Sequence, residues 1–592
     1  MIRIGNAHAF WGDRPSDAYD LLVQEPTLDF LTMDYLAEVS MSILAQQRQR
    51  QADFGYPRDF VEVVRSLADY WAAGGRCKLI ANAGGLNPIA CGLACQAALE
   101  SAGCRSLKIA VVSGDDCVRL LASSKESNSS FFNLDTHQPI ESIRERLVTA
   151  NAYLGSRGIV AALAEGAELV ITGRVADPSL VVAPCIYAFG WAADDWHRLA
   201  GATIAGHLLE CGTHVTGGIA TDWLEVEDPA HMGFPIAEIE SDGSCTITKS
   251  PLTGGQVSEQ TVKEQLVYEI GDPAKYLSPD VTVSFLKLNV QSTGRDRVHV
   301  SGGVGTPPPS TLKVSATYRD GYRATGMLTI VGEDCVLKAR RCAAIVMQRL
   351  KEAGHTFRDT IVECLGNAES VPMPDIAPGA NELFETVLRM AVESESSHAV
   401  EQFSREFVPL VTAGPQGTTG YAEGRPRVHQ VFRYWPCLIE ADRAAYKLDF
   451  QQTADTRSQR ERPAQWPPDS KTAKKPLALK AFEAIKPPHG STETGPKRLS
   501  AVAYGRSGDK GTAANVGILV RSPEQYPWLL QWLTANRVAN YFAPLGTISV
   551  ERFELPNLGG VNFIIRDGLK RGLRNDAQGK ALAQALLTMQ IE

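Results

Sequence analysis

Four short apolar runs, each bounded by helix-like stretches, constrain the first third of this 592-residue chain more than any other feature. LDFLTMD (28–34) leads into YLAEVSMSILAQQRQR, and CKLIANAGG (77–85) follows DFVEVVRSLADYWAAG and precedes a helical pattern through 89–103. LKIAVVSGDD (107–116) leads into CVRLLASS, and AELVITGR (167–174) follows NAYLGSRGIVAALAEG, read here as one long helix. Runs of that length alternating with amphipathic helices build βαβ units and a largely parallel sheet. Right-handed crossovers then bring every strand's carboxyl end to one side.

From about residue 220 the pattern changes. PIAEIESDGSCTITKS holds Asp242-Gly243 between alternating runs, a hairpin signal, and TLKVSATYRDGYRATGMLTIVG repeats it around Asp320-Gly321. A helix follows in EDCVLKARRCAAIVMQRLKEAG, with Gly354 as its stop, and a second long helix is expected over 380–395. The fold class expected is α/β: a parallel sheet with flanking helices (about 1–220) and an antiparallel β-rich second part (about 221–450). Residues 451–498, rich in Pro, Lys, Arg, Ser and Thr, read as a linker. Residues 499–592 read as a small α+β sandwich: strand, glycine-rich turn, strand, helix, two strands and a terminal helix.

Charge excludes little. A net charge of −8 makes no electrostatic case for nucleic acid or an anionic membrane, but an anionic small molecule still fits a local cationic pocket. MIRIGNAHAFWGDRPSD lacks the basic start and apolar run of a secretory signal, and no stretch of about 18 apolar residues suits a membrane span. The twelve cysteines include no CxxC pair and read as small buried hydrophobes in a reducing compartment, so a cytoplasmic protein is expected. Neither a nucleic-acid nor a membrane partner is expected, and a homo-oligomer is compatible with the sequence.

The polar residues gather where ligands sit in parallel sheets, beyond the strand carboxyl ends. Asp34 ends the first run, Asn82, Gly84, Gly85 and Asn87 the second, Asp115 and Asp116 the third, and Arg174 and Asp177 the fourth. Singly, such residues cap helices; four successive ends carrying them point to a shared cleft. The NAGG turn before a helix suits either an anion cradle or a tight structural turn. The pair Asp115 and Asp116 suits one helix cap and one functional acid, or a hard divalent cation given further oxygen ligands. In AGHLLECGTHVTGG, His207, Glu210 and Cys211 share one helix face at i, i+3 and i+4, with Gly212 ending the helix and His214 following. That cluster suits acid–base work, a cysteine nucleophile, a metal or a buried polar group, and its spacing matches no standard zinc pattern. In GRSGDKG (505–511), Arg506, Asp509 and Lys510 suit carboxylate or phosphate binding, or a surface salt bridge. PNLGGVN (556–562) ends a later strand.

At these residues the chain resembles the acyclic terpene utilisation family AtuA. The matching stretches are FWGDRPSDA, DYLAEVSMSILA, NAGGLNP, VVSGDD, TGRVADPSL, FGWAADDW, AGHLLECGTHVTGG, GFPIAEIESDGS and EQLVYEIGDPAKYLSPDV, which span most of residues 1–450. GRSGDKGTAANVGI resembles the ferredoxin-like carboxyl-terminal domain often attached to that family. The resemblance implies a place in citronellol and geraniol breakdown, where branched isoprenoid acids are processed as coenzyme A thioesters. The expected function is therefore a hydratase or lyase acting on an acyl-CoA thioester, with no cofactor evident and a small-molecule acyl substrate. His207 and Glu210 would transfer protons, Asp115 or Asp116 would supply a second carboxylate, and Arg174 and the backbone at Asn82, Gly84 and Gly85 would hold the anion or enolate. Arg506 and Lys510 would contact substrate, and a divalent metal on carboxylates and His207 is a variant. The alternative is a non-catalytic subunit or scaffold of an acyl-metabolic pathway.

Overall fold

The computed structural model describes residues 1–104, 106–123, 131–371, 373–375, 383–419, 424–453, 497–546, 548–569 and 577–591. The chain forms two compact units, one of Met1–Ala316, Trp435–Ser491 and Glu554–Gly560, the other of Thr317–Tyr434, Thr492–Phe553 and Val561–Glu592.

The first unit opens with β1 (Ile2–Asn6), α1 (Asp17–Gln24), β2 (Phe30–Met33), α2 (Glu38–Arg50), α3 (Asp59–Ser66), α4 (Ala68–Ala72), β3 (Lys78–Ala81), α5 (Pro88–Ser101), β4 (Lys108–Ser113) and α6 (Val118–Ser123). It continues through β5 (Leu147–Ala152), α7 (Arg157–Ala164), β6 (Leu169–Thr172), α8 (Ser179–Phe189) and α9 (Trp196–Glu210). Then come β7 (Pro235–Ile239), β8 (Cys245–Lys249), α10 (Glu259–Leu266), β9 (Tyr276–Leu277), β10 (Thr282–Ser284), β11 (Asn289–Gly294), β12 (Arg297–Ser301) and β13 (Val304–Thr306). Nine of these strands and β18 (Lys447–Gln452) form a ten-stranded sheet of order β11-β12-β8-β7-β1-β2-β3-β6-β4-β18, while β13-β10-β9 form a separate three-stranded sheet and β5 pairs with a later strand. The run β1-β2-β3-β6-β4 is parallel, and the strands flanking it are antiparallel.

Period-two alternation decides which face each side chain serves. Leu31 and Met33 of β2, Leu79 and Ala81 of β3, and Leu169 and Ile171 of β6 join one apolar cluster with residues of α3, α4 and α5. Phe30, one step out of phase, meets Tyr187 of α8 edge-on at 6.4 Å. The helices therefore form two layers, α3 with α5 on one face and α7, α8 and α9 on the other. The connections leaving the neighbours β3 and β6 run to opposite faces, through α5 and α8. That divergence is a topological switch point, the place where open α/β sheets form a crevice.

The second unit holds an antiparallel sheet of order β15-β16-β14-β17, from β14 (Thr311–Val331), β15 (Asp359–Leu365), β16 (Glu385–Ser394) and β17 (His429–Glu440). The helices α11 (Cys335–Glu352), α12 (Ser397–Phe407) and α13 (Leu410–Ala413) accompany it, and Gly354 follows α11 at φ 80°. The carboxyl-terminal domain comprises β19 (Ala503–Lys510), β20 (Ala513–Val520), α14 (Tyr526–Trp532), α15 (Ala535–Tyr541), β21 (Ser549–Leu555), β22 (Gly560–Arg566) and α16 (Ala577–Leu587). Its sheet order is β19-β20-β22-β21, and α16 packs on β19 and β20 over a core including Leu529, Phe542, Phe563 and Leu582. The whole is a mixed α/β protein with a parallel-containing sheet, antiparallel sheets and a small ferredoxin-like α+β domain.

Four local expectations need correction. Residues 385–394 form a central strand, not a helix, with Leu388, Met390 and Val392 fully buried between β14 and β15. No hairpin forms at Asp320-Gly321: β14 continues through it, and a side chain at Gly321 (φ 87°) would strike the Ser394 carbonyl. NAYLGSRGIVAALAEG begins as the end of β5, and its helix starts only at Arg157. GRSGDK is strand β19, paired along its length with β20, and not a turn. Of the expected linker, residues 451–452 complete β18, whereas 454–496 lie outside the described residues.

Candidate functional site

Alternation carried past the ends of β2 and β3 turns Asp34 and Asn82 toward the α8–α9 layer. There they meet: Asn82 Nδ2 donates to Asp34 Oδ1 at 2.6 Å, and Asn82 Oδ1 accepts from the Tyr35 N–H at 2.7 Å. Beyond β4, Asp115 accepts from Asn151 Nδ2 (2.7 Å) and from the Arg174 backbone N–H (2.9 Å). A Cβ at Gly173 would stand 2.3 Å from Asp115 Oδ1, so only glycine admits this carboxylate at the end of β6. The Arg174 guanidinium grips both oxygens of Asp177 (2.6 and 3.4 Å) and lies 4.2 Å over the Tyr153 ring. Asp34, Asn82, Asp115 and Arg174 are all buried, and Asp177 is partly exposed.

These contacts set the charges. Burial, seconded by Asp177, pushes the Asp34 carboxyl well above its ordinary range, with Arg174 and Asn82 opposing. Burial lifts Asp115 to about 6 against the pull of the Arg174 N–H and Asn151. Burial works against the Arg174 charge, yet Asp177, Tyr153 and Asp34 together hold its pKa above the usual value.

Helix α9 brings the second group. Asn6, at the end of β1, donates to the Leu209 and Glu210 carbonyls and anchors the helix end beside the sheet. His207 Nδ1 lies 3.0 Å from Glu210 Oε1, and Nε2 lies 3.0 Å from the Gln265 carbonyl, while Gln265 Nε2 donates back to the His207 carbonyl at 3.0 Å. A carbonyl only accepts, so Nε2 carries a proton, and the contact at Nδ1 needs one more proton shared with Glu210. His207 thus has both ring nitrogens engaged and acts on Glu210, which reaches the surface slightly and adds to the field at Asp34. Tyr276 and Phe285 pack against the His207 ring at 5.5 and 6.0 Å. Burial, followed by the Glu210 charge, raises the Cys211 thiol well above its usual range, which leaves it a poor nucleophile.

The structure therefore brings Asp34, Asn82, Asp115, Arg174, Asp177, His207, Glu210 and Cys211 into one neighbourhood. Asp116 turns away as a cap, accepting from the Val118 N–H at 2.9 Å. Three of the four NAGG amides are already used: Asn82 N–H donates to the Met33 carbonyl, Gly84 to Thr172 and Gly85 to Asn82, and Gly85 has φ 54°. A tight structural turn accounts for both glycines. Arg506 is buried on β19 in the other unit, and the Lys510 side chain lies outside the described residues. Among the described residues no three His, Cys, Asp or Glu groups come together as a metal-ion site, so the carboxylate-and-His207 metal site has no ligand set. No helix among the described residues is long and apolar enough to cross a membrane.

Sequence reasoning missed Asn6, Asn151, Tyr153 and Tyr276. Asn151 and Tyr153 sat inside an expected helix; the β-branched pair Val148-Thr149 in LVTANA is the signal that would have exposed the strand.

Residues 2–450 match the family described as acyclic terpene utilisation family protein AtuA, and residues 497–592 match the AtuA ferredoxin-like domain. No curated protein and no solved structure matches the chain. A family match over that much of the sequence, with a second over its carboxyl end, makes the chain a member of the acyclic terpene utilisation family AtuA carrying its ferredoxin-like domain.

Proposed function

We propose that the chain is a cofactor-independent hydratase or lyase acting on branched acyl thioesters within acyclic terpene utilisation. The observation that carries this reading is a buried carboxyl, Asp34, held toward its protonated form beside the guanidinium of Arg174 and the carboxylate of Glu210. A carboxyl held toward its protonated form can serve as a general acid, with Glu210 as the base opposite it.

In the elimination direction, Glu210 takes the proton from the carbon next to the thioester carbonyl. The electron pair of that C–H bond forms the carbon–carbon double bond, and the hydroxyl at the next carbon leaves with the proton of Asp34 as water. Arg174 stabilises the enolate oxygen as charge develops there, a role for fixed donors in a dry site. His207 orients Glu210 and shares its proton, and Asp115 fixes the backbone at Arg174. Hydration is the same path reversed.

The test is incubation of the purified chain with branched 2-enoyl and 3-hydroxyacyl coenzyme A thioesters, read by mass spectrometry as gain or loss of one water. Turnover is expected for at least one branched thioester and for none after Asp34→Asn. Unchanged thioesters across the panel would overturn the proposal.

A further inference from the structure

Tyr276 stands against the candidate site with no part in the reaction above. Its backbone is fixed from both sides. The Ala274 N–H donates to Asp272 Oδ1 at 2.8 Å, the Phe285 N–H donates to the Pro273 carbonyl at 2.8 Å, and Tyr276 pairs with Val283 between β9 and β10. The ring stacks on Phe285 (centroids 5.5 Å, 26° between planes) and leans on the ring of His207, 5.5 Å away, whose Nδ1 meets Glu210. Packing accounts for the Tyr276 ring but not for its oxygen, because Phe285 completes the same wall beside His207 without one. Among the described residues none hydrogen-bonds the Tyr276 hydroxyl, and the residue is only partly buried.

The surrounding charges decide what that hydroxyl can do. Burial, followed by the charges of Glu210 and Asp177, keeps the phenol protonated well above its usual range, with Glu269 and Cys211 adding to the effect. A neutral phenol donates a hydrogen bond and takes no proton from carbon. Glu210 is the base of the reaction proposed above, and Asp177 is the carboxylate that Arg174 grips. The phenol therefore shares the neighbourhood of the group that takes the proton and of the cation that meets the enolate. Arg174 is committed to Asp177 at two points, which leaves developing charge on the enolate oxygen for a second fixed donor.

We propose that Tyr276 is a catalytic residue whose hydroxyl, together with the Arg174 guanidinium, donates to the thioester carbonyl oxygen as the enolate forms. Glu210 takes the proton from the adjacent carbon, and the electron pair of that C–H bond moves onto the carbonyl oxygen as the enolate. The phenol keeps its own proton and shares it with that oxygen. The inference rests on the reaction proposed above and adds a substrate contact to it.

3-Methylbutanoyl coenzyme A, a branched thioester with no hydroxyl to lose, isolates this step. Deuterium uptake at the carbon next to its carbonyl is followed with the full chain, and infrared difference spectra with an isotope-labelled carbonyl read the stretch of the bound thioester. Tyr276→Phe should lower kcat for exchange by about a hundredfold, the cost of one such donor, while KM stays within about twofold of wild type. The stretch of the bound carbonyl should rise in the variant, because a hydrogen bond to it is gone. The melting temperature should stay level, because the stacked ring remains. Wild-type exchange and an unchanged stretch in Tyr276→Phe overturn the inference and leave the proposed reaction standing. A loss carried by KM alone, or one accompanied by a clear fall in melting temperature with the stretch unchanged, makes the hydroxyl structural and overturns it equally. A wild-type chain that binds no branched thioester overturns the proposed reaction and this contact with it.

Discussion

Replacing Asp115 by Asn should make the protein more stable at neutral pH, although the change removes a group bonded twice. Asp115 loses its proton at about 6 in the folded chain, against an ordinary value of 3.8, and burial is the main cause. A carboxyl whose folded pKa is raised binds its proton more tightly in the native than in the unfolded state. Stability is therefore unaffected below about pH 4, falls as pH rises through the window up to about 6, and levels off above it. Moving from 3.8 to about 6 corresponds to roughly 3 kcal/mol. Asparagine mimics the protonated acid and escapes that loss. Its side-chain oxygen can take the place of Asp115 Oδ2, which accepts from both the Arg174 N–H and Asn151 Nδ2, so both bonds survive the change. Urea midpoints of the two full-length proteins, taken from pH 4 to pH 8, measure the effect. They should coincide at pH 4 and separate in favour of Asp115→Asn by roughly 3 kcal/mol at pH 7. A wild-type advantage at pH 7, or a difference independent of pH, would refute the reasoning.

Three further outcomes follow from named contacts. Arg174→Lys keeps the charge but loses the two-point grip on Asp177 and the stack over Tyr153, so turnover should drop by about tenfold or more without unfolding. Cys211→Ser should retain most turnover, and the wild-type thiol should react slowly with iodoacetamide at pH 7, because burial and Glu210 keep it protonated. In the second unit, Glu393 is buried and accepts from both Arg358 and Arg433, while Asp320 also pairs with both. Arg433→Met should destabilise that unit by roughly 3 kcal/mol in urea, the order expected when a buried pair loses one partner.

The parallel core was legible because strands buried on both faces appear as unbroken apolar runs, and β2, β3, β4 and β6 each stand beside a helix of opposite period. β1 was not, since IRIGN carries Arg3 and Gly5 and is followed by ten residues without a helix. Losing that strand hid Asn6. ETVLRMAVES holds good helix formers, but pairing on both sides in the sheet overrides that weak preference. Asp320-Gly321 has the dipeptide of a tight turn, yet Asp320 is taken up by Arg358 and Arg433 and the strand runs on. Spacing alone aligned His207 with Glu210; which of the two reaches outward depends on Gln265, a residue 58 positions away that no local pattern links to them.

Hydrogen exchange at the carbon next to the thioester carbonyl tests the central assignment most directly. A branched acyl thioester turned over by the wild-type chain is incubated in deuterium oxide, and label at that carbon is followed by mass spectrometry alongside loss of water. The wild-type chain should do both. Asp34→Asn should still exchange deuterium while losing elimination by at least about a hundredfold, because the base remains and the acid is gone. Glu210→Gln should lose both reactions together. Exchange that persists in Glu210→Gln, or elimination that persists in Asp34→Asn, would contradict the division of labour between these carboxylates.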